Sequence, residues 1–121
     1  MKSASKALLA LAVLAAGATA AGAHAFLDRA EPRVGSTVHA PPAQVRLWFT
    51  EQIEPAFSSI RVLAEAGQRV DKEDVQRDPA APKQLRVSLP SLPAGKYKVV
   101  WRVLSVDTHV SDGDFTFRLA P

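Results

Sequence analysis

The sequence predicts an all-β domain, an antiparallel, immunoglobulin-like Greek-key β-sandwich of about seven strands. Three observations carry that expectation. Apolar residues recur with the two-residue period of strands and not with the period of a helix. Turn-forming residues break the chain into short segments. Residues 24–121 are also few enough to wrap one core and no more. A small barrel is the alternative architecture.

The first 23 residues read as an export signal. Lys2 and Lys6 form a basic start, an apolar run extends from Ala7 to Ala16, and small residues end at Ala21-Gly22-Ala23. The strongly apolar part falls short of the about 20 residues that a spanning helix requires. Cleavage after Ala23 makes His24 the first residue of an exported domain, residues 24–121. Ala23-His24-Ala25 offers a second cut, which would discard His24 and leave Phe26 first.

Strands follow in order. Val45, Leu47 and Phe49 alternate with Gln44, Arg46 and Trp48, the pattern of a half-buried strand. Ile60 and Val62 begin another, and Leu85, Val87 and Leu89 a third. Tyr97, Val99, Trp101 and Val103 form a long alternating run, and Phe115, Phe117 and Leu119 close the chain. Both tryptophans belong to strands, and Trp101 is read as the core residue of the two because Val99 and Val103 share its face. Turn signals separate these runs at Glu31-Pro32, Gly35, Pro41-Pro42, Glu54-Pro55, Gly67, Pro93-Ala94-Gly95 and Asp112-Gly113. Residues 71–83, polar and proline-rich, read as a mobile surface loop. Asp112 and Asp114 flank Gly113 and are assigned to turn chemistry.

Charge and sulfur narrow the function. Without the two leader lysines, Lys plus Arg falls from 15 to 13 against 12 acids, so formal net charge drops from +3 to +1. The basic residues are scattered along the sequence, and nothing points to nucleic acid. Cysteine is absent and Met1 is the only methionine. A domain without thiolate or thioether is poorly suited to Cu(I), whereas imidazole, amine and carboxylate suit Cu(II) and Zn(II). No serine or cysteine constellation supports a hydrolase.

His24 is the most informative residue. As an N-terminal histidine it offers its α-amine and its imidazole Nδ1 to one metal. Asp107-Thr108-His109 is the second feature: if the chain there is extended, residues two apart share a face and a carboxylate and an imidazole point into one space. An N-terminal strand lying beside that segment would unite an amine, two imidazoles and a carboxylate, a tetragonal set that suits Cu(II). His39, beside Pro41-Pro42 and without a neighbouring acid, is read as an exposed strand-end residue outside any metal site. Two other classes stay open: a copper-dependent oxidative enzyme built on the N-terminal chelate, and a metal-free exported sandwich with an interaction role.

The residues resemble the CopC copper-resistance family. The resemblance opens at His24-Ala25-Phe26-Leu27 with Glu31-Pro32, and continues through Phe49-Thr50-Glu51 and Leu92-Pro93-Ala94-Gly95-Lys96-Tyr97. It closes on Trp101 through His109 and on Gly113-Asp114-Phe115-Thr116-Phe117. The resemblance implies a periplasmic copper-binding sandwich that buffers or carries one Cu(II) per chain, as a monomer and without turnover. It assigns His24, Asp107 and His109 as ligands, with Glu51 near the site. It also implies an inner-membrane copper transporter of the CopD type as partner. Two departures stand out. Thr108 replaces the glycine usual between the acid and the histidine, and no methionine-rich loop for Cu(I) can be built.

Overall fold

In the computed structural model, residues 25–121 are described. The expected leader and His24 lie outside the described residues. The alternating runs become strands. These are β1 (Leu27–Glu31), β2 (Thr37–Val38), β3 (Gln44–Phe49), β4 (Ser59–Ala64), β5 (Gln84–Ser88), β6 (Gly95–Leu104) and β7 (Val110–Leu119). One sheet has the order β1-β3-β5, and the other β2-β7-β6-β4. Every connection except the β6–β7 hairpin crosses from one sheet to the other, as in an immunoglobulin-like sandwich.

Burial alternates as the sequence pattern requires. Val45, Leu47 and Phe49 point inward from β3, and Tyr97, Val99, Trp101 and Val103 from β6. Phe49 and Trp101 meet edge-to-face across the sandwich, with ring centroids 5.3 Å apart. That geometry suits the ring quadrupoles and ties the two sheets together without a disulfide. Tyr97 stacks on Phe117 and donates its hydroxyl to the Pro93 carbonyl at 2.5 Å. A tyrosine near the start of the sixth strand, bonded back to the backbone four residues upstream, is the tyrosine corner of such sandwiches. Burial pushes its phenol up from the ordinary value.

Three expectations are corrected. The first concerns Asp112-Gly113, read as a turn: these residues lie inside β7, where Gly113 pairs with Trp101. Glycine is required there by close approach, because a Cβ would stand 2.5 Å from Trp101 Cζ2. The second concerns residues 71–83, read as a mobile surface loop. Asp71 is buried, accepting hydrogen bonds from the N–H of Val62 and the guanidinium of Arg69. Asp74 accepts from the Ser88 N–H, and Gln76 exchanges backbone bonds with Arg86. Backbone and carboxylate hydrogen bonds thus hold the segment on β4 through Asp71 and along the outer edge of β5 through residues 72–76. The third is the pairing of β2, which runs parallel to β7 in an otherwise antiparallel fold.

Candidate metal centre

The hairpin between β6 and β7 carries the predicted donors. Its turn closes by hydrogen bonds from Ser105 N–H to the His109 carbonyl, 3.0 Å, and from Thr108 N–H to the Ser105 carbonyl, 2.9 Å. The chain here is therefore not extended, as the strand argument had assumed. Thr108 takes a left-handed φ of 73°, and that reversal brings Asp107 and His109 together. His109 Nδ1 lies 3.4 Å from Asp107 Oδ1, and both side chains are about half exposed, at 44% and 49%.

Ser105 sits beneath the pair, 1% exposed. Its hydroxyl has two acceptors within reach, the Asp107 carboxylate and the His109 carbonyl. Hydrogen bonding from Ser105, then from His109, holds the Asp107 carboxyl below its ordinary pKa. A carboxylate kept ionised beside an imidazole is suited to a divalent cation.

The segment after β3 packs against this turn. Val106 N–H donates to the Gln52 carbonyl, Ile53 bridges Ser105, and Glu54 N–H donates to the Leu104 carbonyl. Glu51 is exposed one residue before that contact. From the other side, Ser111 Oγ donates to the Ala25 carbonyl at 2.6 Å, and Phe26 exchanges hydrogen bonds with Thr50. The start of the described chain is thereby pinned between β7 and the end of β3. The N-terminal strand β1 pairs with β3, so the contact with the Asp107 hairpin rests on Ser111, not on a shared ladder. Among the described residues no group of three His, Cys, Asp or Glu comes together, and Asp107 and His109 stand as a pair.

A family-wide sequence profile described as the CopC domain matches residues 27–120. The chain belongs to the CopC family. This CopC chain is 31% identical to copper resistance protein C of Escherichia coli, over 93% of its own length and 94% of that protein. It is 30% identical, over 80% of its length, to only 18% of the copper transport protein CutJ of Bacillus subtilis. The crystal structure of CopC from Methylosinus trichosporium OB3b superposes with a TM-score of 0.77 at 38% identity, covering 81% of this chain and 95% of that one. Membership gives the chain a copper-related function.

Within this CopC chain the structure joins Asp107 to His109 and separates His39 from them. His39 follows β2 and faces the Ala120 carbonyl at 2.9 Å, beyond the far end of β7. The ten residues of β7 put about 30 Å between the two ends at 3.4 Å per residue. Trp101 is buried, as expected, while Trp48 is only partly covered and carries the guanidinium of Arg29 3.9 Å from its ring centroid. Sequence reasoning missed Ser105 and Ser111, whose roles depend on a hairpin partner and on the N-terminus. A serine two positions before Asp107 and another two positions after His109 were the available signal.

Proposed function

We propose that this protein is a periplasmic Cu(II)-binding protein that buffers or carries one copper ion per chain, without turnover. His24, through its α-amine and imidazole, joins Asp107 and His109 as ligands, and Glu51 lies near them. The observation that carries this reading is the 3.4 Å Asp107–His109 pair on a hydrogen-bonded hairpin, with Ala25 anchored to Ser111 two residues beyond His109. His24 is covalently joined to that anchored residue. The donors are nitrogen and oxygen, and Met1 belongs to the leader, so the set favours Cu(II) over Cu(I) and over Zn(II).

Copper is cargo here, and its recipient is an inner-membrane transporter of the CopD type. Similarity to 18% of the length of a protein named for copper transport supports that partnership. Native intact-mass spectrometry of the exported protein with one equivalent of Cu(II) tests the ligand set. The expected species begins at His24, retains one copper and loses it in His109→Ala. A chain beginning at Phe26, or one at His24 that holds no copper, would overturn the reading.

A further inference from the structure

The end of the sandwich away from Asp107 and His109 holds three cations that the sequence scatters and the sheet assembles. Lys96 on β6 stands directly opposite Arg118 on β7, and Arg118 opposite Thr37 on β2. Lys98 and Thr116 form the next outward row. Like charges placed directly opposite on neighbouring strands repel. Yet among the described residues neither Lys96, Lys98 nor Arg118 makes an ion pair.

A cavity of about 150 Å³ opens at this row, lined by Gly35, Ser36, Thr37, Lys96, Thr116 and Arg118. The loop is held in place by its backbone: Gly35 N–H donates to the Thr116 carbonyl at 2.7 Å, and Arg118 N–H to the Ser36 carbonyl at 2.8 Å. Glu65 and Asp114 border a neighbouring groove that shares Lys96 and Thr116 with this cavity, and neither carboxylate lines the cavity itself. What the cavity offers is an ammonium, a guanidinium fork and two threonine hydroxyls.

We infer that this cavity is a binding site for a phosphate-class oxyanion, held by Lys96 and Arg118 with Thr37 and Thr116 donating hydroxyls. A guanidinium matches such an anion with two parallel hydrogen bonds, and an ammonium adds a point charge. The anion neutralises a cross-strand repulsion that the fold otherwise leaves standing. Because the site lies a strand length from the copper-binding hairpin, the two can be filled together.

Two probes separate the sources of the phosphate group. The first is inorganic phosphate titrated into the isotope-labelled exported protein at constant ionic strength. The second is sedimentation with vesicles of phosphatidylglycerol or of phosphatidylcholine. Amide shifts confined to Ser36, Thr37, Lys96, Thr116 and Arg118 with inorganic phosphate identify a free-anion site. Sedimentation with phosphatidylglycerol alone identifies a lipid headgroup. In either case Lys96→Gln with Arg118→Gln weakens binding by about tenfold or more, given the strength of hydrogen bonds to charged groups. Lys72→Gln, an exposed control, leaves binding unchanged, and a preserved thermal transition shows that the double variant is folded. No response to either probe, an equal response to chloride, or undiminished binding in the double variant would overturn the inference.

Discussion

Thr108 holds a φ of 73°, and apart from Glu73 it is the only described non-glycine residue with a positive φ. A β-branched side chain in the left-handed region costs about 1–2 kcal/mol, because its Cβ crowds the following carbonyl. Thr108→Gly removes that strain. It also releases about 0.5–1 kcal/mol of extra backbone entropy to the unfolded chain, and it loses the bond from Thr108 Oγ1 to the Asp107 carbonyl, an exposed local contact of 2.5 Å. Strain relief exceeds the entropy term, so the apo-protein should gain about 0.5–1 kcal/mol. For a domain of this size that corresponds to a rise of about 3–6 °C in Tm. Thermal unfolding in a chelator measures it without any contribution from bound metal. Thr108→Asn should fall between the two, since asparagine tolerates this region better than threonine, and Thr108→Ala should gain less than glycine. If glycine lowers Tm, or if alanine matches it, the backbone argument is wrong and the hydroxyl is what the hairpin needs.

Other perturbations follow from the same contacts. Gly113→Ala drives a Cβ to within 2.5 Å of Trp101 Cζ2 and 2.9 Å of Cε2, and overpacking of this kind should cost about 2 kcal/mol in urea unfolding. A change below half a kcal/mol would mean that the Trp101 ring can slide. For Asp71, burial pushes the carboxyl up, but hydrogen bonds from Arg69, Val62 and Glu73 more than offset this and hold it below its ordinary value. A depressed native pKa stabilises the fold above the unfolded value of about 3.9 and is lost as pH falls through the native one. Stability should therefore drop more steeply below about pH 4 in the parent than in Asp71→Asn, and equal acid slopes would remove Asp71 from the account. Asp71→Ala should cost about 2–3 kcal/mol, because charge-assisted bonds are lost while Arg69, 35% exposed, is rehydrated. Copper should be lost on acidification, because protons compete with the metal for its donors. A nitrogen-rich paramagnetic resonance spectrum unchanged at lower pH would contradict the ligand set.

Elements whose identity depends on their own residues were legible in the chain. The five alternating runs became β3 to β7, and the two-residue period identified their inward faces, because a half-buried strand must alternate. Elements defined by a partner were not. The strand β2 is two residues long and exists through its pairing with β7, and β1 carries little alternation, with only Ala30 buried inside it. Gly113 looked like a turn because glycine beside aspartate usually is one, whereas its cause is the Trp101 ring opposite. The polar run from Asp71 looked solvated because nothing in its order reveals that its carboxylate fills an unmet backbone donor of β4.

Taken alone, the sequence determined the fold class, the absence of sulfur ligands in residues 24–121 and the residue types from which a Cu(II) site can be made. Composition and period settle those, since they depend on which side chains exist and on which face they fall. Tertiary structure alone decided where they meet. It turned Asp107 and His109 toward each other by a reversed φ at Thr108, drew Ala25 to Ser111, and set Lys96 against Arg118. Such proximities are created by strand register and hairpin geometry, which join residues that lie far apart along the chain.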